Sequence, residues 1–273
     1  MAKKKNKGQV HPKNKLNNLT GTEWVKFLSS FFIFNALPSD LKEENLVTKG
    51  KSKLHPATFS PTMISKFIEF FTKEGQTVLD PFLGIGTTLV ACDRTNRKGI
   101  GIELNSKYVD IAKMRTKQKV ISGDATKIKE YNLPQIDYCI TSPPYWNVLN
   151  RSTKDFEKNR NSNSLDVKYS DSKKDLGNID DYNEFINAVF EIFVDIYNIL
   201  KPKGYITVII KNVKKKGKFY PLAWDLAKKL GELYVLKDEK VWAQDKVNLA
   251  PYGYPYAWVG NIIHHYCLIL RKE

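Results

Sequence analysis

The chain is poor in cysteine and has no long apolar run. Its three cysteines, Cys92, Cys139 and Cys267, are widely separated and form no CxxC pair, so the sequence indicates neither a disulfide framework nor a structural zinc site. No stretch approaches the length that crosses a bilayer, and no apolar segment follows the charged N-terminus as in a secretory signal. We therefore expect a cytoplasmic protein with no bound metal and no membrane contact.

Acidic residues are also scarce relative to basic ones. The 273 residues include 29 Asp and Glu against 44 Lys and Arg, for a formal net charge of +15. Such an excess favours a polyanionic partner such as nucleic acid. Apolar residues make up 42% and aromatic residues 12% of the chain, which is enough to build one substantial core.

Composition divides the chain into an arm and one domain. Residues 1–18 are rich in Lys and Asn and are expected to form a basic flexible arm, either a solvated tail or a DNA-binding arm. Residues 19–273 are expected to form a single domain. Within it, apolar periodicity nearly vanishes between about 146 and 180, which predicts an inserted surface loop.

Helical and strand patterns alternate from residue 60 onward. Strands are predicted at 77–79, 99–102, 120–121, 136–140, 205–210, near 241 and at 266–270, with helices between most of them. Alternation of this kind implies a mostly parallel sheet covered by helices on both faces. The expected fold is a doubly wound α/β domain with seven strands.

A glycine-rich loop, Asp80-Pro81-Phe82-Leu83-Gly84-Ile85-Gly86-Thr87-Thr88, follows the first of these strands and opens a helix. Nucleotide-like ligands bind at this position in α/β sheets. Glu103 and Asp124 end the next two strands, where one carboxylate can accept the hydroxyls of a ribose and the other an adenine amino group. Together they predict an adenosine-binding edge.

Two other interpretations of these residues remain open. Asp80 could cap the helix while Glu103 and Asp124 are solvated strand ends. A dinucleotide enzyme is the second alternative, but Thr88 and Leu89 occupy the region where G-x-G-x-x-G has its third glycine. That difference disfavours binding of a pyrophosphate.

The turn Thr141-Ser142-Pro143-Pro144-Tyr145 follows the fourth predicted strand. An exocyclic amine conjugated to a base ring is a poor nucleophile, and hydrogen bonds from its two N–H groups to the Ser142 oxygen and the Pro143 carbonyl would localise its lone pair. Tyr145 would stack on a base rotated out of a duplex. Carbon methylation would need a nucleophilic cysteine in a loop, and Cys139 lies within an apolar strand.

The motifs DPFLGIGTT and TSPPY resemble the amino-group DNA methyltransferases, particularly those that act on N4 of cytosine, and the resemblance covers most of the chain. It implies a Rossmann-like class I methyltransferase fold and S-adenosylmethionine as cofactor. The segment His55–Pro61 resembles the family's cofactor-capping segment. The residues implied for catalysis are Ser142, Pro143, Pro144 and Tyr145. Those implied for the cofactor are His55, Asp80, Pro81, Phe82, Gly84, Gly86, Thr87, Thr88, Glu103, Asp124 and Thr141.

The serine of the second motif bears on the target base. In the family, SPPY usually accompanies cytosine N4 and DPPY adenine N6, so Ser142 favours cytosine in a specific double-stranded DNA sequence. The motif order, with the cofactor loop first, departs from the commonest order among the cytosine enzymes. A restriction endonuclease acting on the same site is a candidate partner, and a monomer is expected.

Three alternatives stay open. The first is an adenine-N6 DNA methyltransferase with the same pocket. The second is an RNA base methyltransferase, although such enzymes usually carry a sizeable RNA-binding domain ahead of the catalytic one. The third is an inactive nucleic-acid-binding protein, which the complete set of motif residues disfavours.

Little chain is left for a separate target-recognition domain, so we expect loops to read the DNA. The candidates are residues 146–180, the basic run 211–218, and 248–261 with its tyrosines and Trp258. The basic run could equally be a solvated turn and the aromatic run could equally pack in the core. His264 and His265 are expected to be structural.

Overall fold

The computed structural model describes residues 8–35, 37–40, 42–43, 59–147 and 175–273. The α-helices that are described over their whole length are α1 Gly21–Phe27, α2 Pro61–Phe71, α3 Thr87–Arg94, α4 Ser106–Arg115, α5 Tyr182–Ile199 and α6 Leu222–Leu230. Its strands are β1 Phe31–Ile33, β2 Thr77–Asp80, β3 Lys98–Glu103, β4 Lys119–Ser122, β5 Ile136–Thr141, β6 Leu200–Ile210, β7 Val213–Lys215, β8 Lys218–Tyr220, β9 Val235–Ala243 and β10 His264–Arg271. Short 3₁₀ helices span Ala125–Tyr131 and Leu176–Asn178.

Eight strands form the central sheet in the order β1-β9-β10-β6-β5-β2-β3-β4. Strand β10 runs antiparallel to its neighbours β9 and β6, and the other described pairs are parallel. The predicted α/β class with a mostly parallel sheet is therefore confirmed. Because parallel strands end at the same edge, the loops after β2, β3, β4, β5 and β6 share one rim, here called the carboxyl edge.

Helices cover both faces of the sheet because successive strand residues point to opposite sides. On β5, Tyr138 and Ile140 belong to the core on the α2 face, whereas Cys139 belongs to the core beneath α5 and α6. Helix α2 repeats apolar residues at helical spacing and buries seven of its residues. These two cores hold the carboxyl edge rigidly between them.

The predicted count of seven strands was wrong by one. Strand β1 lies in the apolar segment 19–37 and pairs with the end of β9, from Phe31 opposite Val241 to Ile33 opposite Ala243. Three residues on a sheet edge are too few to show a period of two. The basic run also forms the hairpin β7–β8, turning at Lys216 and Gly217, which both have positive φ, as a two-residue hairpin turn requires.

Part of the predicted arm contacts the domain. The fully buried Asn17 donates its side-chain N–H to the Phe70 carbonyl at 2.6 Å, and the Lys73 ammonium donates to the Asn14 carbonyl at 2.7 Å. Residues 1–7 lie outside the described residues, as does most of the predicted loop 146–180. The division at residue 18 therefore stays a prediction, with residues 14–17 packed on α2.

No helix within the described ranges is both long enough and apolar enough to cross a bilayer.

We predict that Asn17→Ala lowers the free energy of unfolding by about 1–3 kcal/mol, since it leaves the buried Phe70 carbonyl without its donor. Denaturant titration monitored by circular dichroism measures the change. The exposed Lys15→Ala variant is the control and should stay within about 0.5 kcal/mol of the parent. A silent Asn17→Ala variant would mean that this segment does not dock in solution.

Candidate active site

The glycine-rich loop connects β2 to α3 at the carboxyl edge. Gly84 and Gly86 both have positive φ, +57° and +92°, which residues with a side chain adopt at a cost. A Cβ on Gly86 would also lie only 3.0 Å from the Ala112 Cβ. The loop is thus a tight turn that brings backbone to the rim, and Gly86 rather than Asp80 is the N-cap of α3.

Asp80 connects three elements through its buried carboxylate. Its Oδ1 accepts from the Thr141 hydroxyl at 2.6 Å and from the Phe82 amide at 3.1 Å, and its Oδ2 accepts from the Thr88 hydroxyl at 2.5 Å. Burial raises the pKa of Asp80, and these hydrogen bonds oppose the rise. The end of β2, the first turn of α3 and the end of β5 are therefore fastened at one point.

Glu103, at the end of β3, is held by two backbone amides. Its Oε2 accepts from Gly84 and its Oε1 from Asn105, each at 2.7 Å. Burial raises the pKa of the Glu103 carboxyl to about 7, the two amides oppose that rise, and the charges of Asp80 and Asp175 add to it. Each oxygen still has a lone pair with which it can accept from a ligand hydroxyl.

Asp124 follows β4 and caps the 3₁₀ helix Ala125–Tyr131. Its Oδ1 accepts from both the amide and the hydroxyl of Thr126, at 2.9 and 2.8 Å. Asp124 is therefore a helix cap, a role that the sequence left open for Asp80 and not for Asp124. Because both of these bonds fall on one oxygen, the other can still serve a ligand amine.

Two adjoining clefts open at this rim. The first cleft has a volume of about 520 Å³ and contains the Asp80 side of the glycine-rich loop, whereas the second has about 580 Å³ and contains Glu103 and Asp124. Phe82 and Ser142 line both clefts. The predicted catalytic turn thus stands where the two clefts meet.

Most of the predicted site residues line these clefts. Asp80, Phe82, Gly84, Thr87, Thr88, Thr141, Ser142 and Pro143 line the first, and Pro81, Phe82, Glu103, Asp124, Ser142 and Pro144 line the second. Of the described residues predicted for the site, Gly86 and Tyr145 line neither. His55 lies outside the described residues, although Phe59 at the end of that segment lines the first cleft.

Several residues of the cleft walls were not predicted from the sequence. Ile64, Ile140 and Ile209 line the first cleft, and Leu104, Asp175, Leu176 and Ile192 line the second. The apolar residues carry no signal that separates a cleft wall from the core. Asp175 stands in a polar stretch without periodicity, so only its place in the fold shows that it reaches the rim.

The Thr87 side chain suits a polar ligand group in the first cleft. Its hydroxyl oxygen is buried in the first turn of α3 and has no hydrogen-bond partner among the described residues. A buried polar atom left in this way is costly, and a charged ligand end would satisfy it. Amides at a helix N-terminus suit an anionic group such as a carboxylate.

The turn after β5 holds its polar groups close together. The Ser142 hydroxyl donates to the Tyr145 hydroxyl at 3.1 Å, and the Tyr145 ring is 7% exposed, with its centroid 6.0 Å from that of His265 and 5.6 Å from the Lys211 ammonium. Trp146 follows with a φ of +53°. With its ring covered in this way, stacking of Tyr145 on a base stays a prediction.

The neighbouring histidine and cysteine have structural surroundings. His265 stacks on Trp242 with ring centroids 4.5 Å apart, and burial, aided by the charge of Lys211, lowers its pKa to about 3. Cys139 is fully buried, and burial raises its thiol pKa well above the usual value, so it is no thiolate nucleophile. Within the described ranges, no cluster of His, Cys, Asp or Glu could hold a metal ion.

Comparison with known proteins identifies the family. Residues 1–114 and 136–272 match the model of the N6- and N4-amino methyltransferase family, described as DNA methylase. The chain belongs to this family. The resemblance inferred from the two motifs is confirmed at the level of the family, and the cofactor is S-adenosylmethionine.

Curated relatives match this chain over shorter segments. It is 40% identical over 82 residues to the orphan methyltransferase M.BamHII of Bacillus amyloliquefaciens, covering 30% of this chain and 31% of that one. It is 48% identical over 84 residues to the type II methyltransferase M.Cfr9I of Citrobacter freundii, covering 31% and 26%. The matched segments thus span about a quarter to a third of these relatives.

Among solved structures, TrmN from Thermus thermophilus superposes with a TM-score of 0.52 at 14% identity, covering 85% of this chain and 52% of that one. Likeness at this identity shows the fold alone.

The raised pKa of Glu103 predicts a pH dependence of stability. The unfolded carboxyl titrates near its ordinary value of 4.5 and the folded one near 7, so the folded state binds more protons between these values and stability falls as pH rises through them. The loss attributable to Glu103 is about 3 kcal/mol. Denaturant titrations of the ligand-free protein from pH 5 to 8 should show Glu103→Gln losing less stability than the parent.

Asp110→Asn, which removes an exposed carboxylate of α4, serves as the control and should keep the parental slope. Equal pH slopes in the parent and Glu103→Gln would mean that Glu103 titrates normally.

Proposed function

We propose that the chain transfers a methyl group from S-adenosylmethionine to the exocyclic N4 amine of cytosine within a specific double-stranded DNA sequence. The observation that carries this proposal is the position of Ser142, which lines both clefts at their junction. A methyl donor spanning the two clefts would have its reactive centre beside this turn.

The two clefts differ in the ligand chemistry that they suit. In the first, the Thr87 hydroxyl and the N-terminus of α3 suit a carboxylate, and the buried Asp80 suits an ammonium, so this cleft would hold the amino-acid end. In the second, Glu103 would accept the ribose hydroxyls and Asp124 the adenine amine. Phe82 and Ile192 provide apolar wall for the adenine ring.

The cofactor supplies an electrophilic methyl group on a sulfonium, and the protein must supply geometry. The Ser142 hydroxyl directs its proton to Tyr145, which leaves oxygen lone pairs to accept one N–H of the target amine. The Pro143 carbonyl accepts the other N–H. Because Pro144 has no amide hydrogen, this turn cannot pair as a β-strand, and no strand pairing occupies the outward-facing carbonyl of Pro143. The amine nitrogen would then face the methyl group with its lone pair.

The finer assignments rest on the motif and on the relatives. Ser142 at the start of the turn supports cytosine over adenine as the target. The names of the type II relatives support a role as the modification enzyme of a restriction-modification system, with an endonuclease acting on the same site. We further propose that the enzyme works as a monomer in the cytoplasm.

Product analysis tests the target base. Incubation with methyl-labelled S-adenosylmethionine and mixed-sequence duplex DNA, followed by digestion to nucleosides and mass spectrometry, should yield labelled N4-methylcytosine. Labelled N6-methyladenine would show that adenine, and not cytosine, is the target base, and would leave the proposed cofactor and pocket unchanged. Label on RNA but not on DNA, in a parallel incubation, would overturn the DNA substrate.

The hydrogen bond between Ser142 and Tyr145 gives a second prediction. Tyr145→Phe removes the acceptor of the Ser142 proton while keeping the ring, so kcat should fall about 10- to 100-fold. Pro143→Ala should also lower kcat, because the carbonyl loses its fixed direction. Calorimetric titration should show unchanged cofactor affinity in both variants.

The matched control is Tyr197→Phe, which removes a phenol hydroxyl on α5 and should leave kcat unchanged. If Tyr145→Phe and Pro143→Ala both turned over at the parental rate, the turn after β5 would not be the reacting site.

A further inference from the structure

The loop between β9 and β10 carries aromatic side chains that face solvent. Tyr252, Tyr254, Tyr256 and Trp258 are 72%, 82%, 95% and 91% exposed, so they do not pack in the core, an alternative that the sequence left open. Aromatic side chains bury more area than most residues when they find a partner. Several of them on one exposed loop mark an interaction surface. We call residues 248–261 the aromatic loop.

The aromatic loop has a defined internal structure. The Asn261 side chain donates to the Ala250 carbonyl and accepts from the Ala250 amide, at 2.9 and 3.1 Å, which closes the base of the loop. Gly253 accepts at its carbonyl from the amides of Tyr256 and Ala257. A compact loop closed by its own hydrogen bonds holds the rings outward at little further entropic cost.

The aromatic loop rises beside the catalytic turn. Strand β9 ends and β10 begins at the carboxyl edge, and the ring of His265 in β10 lies 6.0 Å from that of Tyr145. Asn261 and His265 are four positions apart, a span of at most about 14 Å in extended chain. The distance from the base of the loop to the catalytic turn is therefore shorter than one helical turn of DNA, which is roughly 34 Å.

Positive charge adjoins the aromatic loop on the hairpin β7–β8. The Lys214 ammonium donates to the Gly260 carbonyl at 2.6 Å and lies 5.7 Å from the centre of the Trp258 ring. Lys216 and Lys218 are exposed on the same hairpin. Flat apolar rings bordered by lysines complement a polyanion that also presents flat apolar groups, which is the chemistry of nucleic acid.

We propose that the aromatic loop is a base-stacking platform, on which Tyr256 and Trp258 stack against nucleobases of the substrate duplex beside the flipped target base. This inference rests on the proposed function and adds a DNA contact to it. The lysines of the hairpin hold the phosphates flanking those bases, so stacking and electrostatic contacts come from two neighbouring elements.

The two kinds of contact respond differently to salt, and this gives the test. Stacking releases few counterions, whereas removing one lysine–phosphate ion pair reduces the slope of log affinity against log salt by about 0.9. The double variant Tyr256→Ala with Trp258→Ala should therefore bind duplex DNA at least about tenfold more weakly at every salt concentration, with the parental slope. Lys216→Gln should reduce the slope.

Two controls separate stacking from folding. Tyr256→Phe with Trp258→Phe keeps both rings and should stay within about threefold of the parent in DNA affinity. Leu236→Ala removes an exposed apolar side chain at the far end of β9 and should change nothing. Calorimetry should show equal cofactor affinity, and thermal scans equal unfolding temperatures, in all of these proteins.

Three results would overturn the platform. One is DNA affinity within twofold of the parent in the double alanine variant. Another is a sedimentation experiment in which the parent is a dimer and the double alanine variant is a monomer, since the rings would then serve self-association. The last is a parent protein that binds no DNA, which would overturn the proposed function as well. If the parent methylates DNA but the parent and the double alanine variant bind it with equal affinity, only the platform is overturned.

Discussion

The buried carboxylate of Asp80 is the contact on which the rest of the site depends. It accepts from the Thr88 hydroxyl at the start of α3 and from the Thr141 hydroxyl at the end of β5. Its negative charge is costly to bury, and two of the three hydrogen bonds that offset this cost come from these two elements. The glycine-rich loop and the catalytic turn are therefore held side by side, although 61 positions separate the partners Asp80 and Thr141.

The same rim contains buried polar groups whose ionisation or hydrogen bonding is unfavourable in the free protein. Glu103 has a pKa raised to about 7 by burial, and the Thr87 hydroxyl is buried with no partner in the part of the chain that the structure describes. Such groups destabilise the free protein, and perturbed groups of this kind concentrate at functional sites. A ligand whose hydroxyls bind Glu103 and whose charged end binds Thr87 would satisfy both groups. The free energy that they cost the free protein would then contribute to ligand affinity.

The sequence was a good guide wherever periodicity or glycine geometry determines the structure. Helix α6 lies between two predicted strands, as the alternation indicates, and the loop from Asp80 to Thr88 turns on glycines with positive φ. Strand β1 and the hairpin β7–β8 were not predicted because each strand is only three residues long. Pairing with β9, not local pattern, makes Phe31–Ile33 a strand.

Within the site, the strand-end carboxylates were predictable because parallel strands end at one rim. The cleft walls Ile192 and Asp175 were not, since they come from a helix and from a polar stretch that only the fold brings there. Whether the rings of residues 248–261 pack or face solvent also depends on tertiary structure. Aromatic residues suit both environments, and the composition of a loop does not choose between them.

A crystal structure of the protein with S-adenosylhomocysteine would show how the cofactor lies across the two clefts. We expect the adenine beside Asp124, the ribose hydroxyls on Glu103, the amino-acid end beside Thr87, and the sulfur facing Ser142 where the two clefts meet. A cofactor bound in the reverse orientation, or with its sulfur away from Ser142, would contradict this expectation.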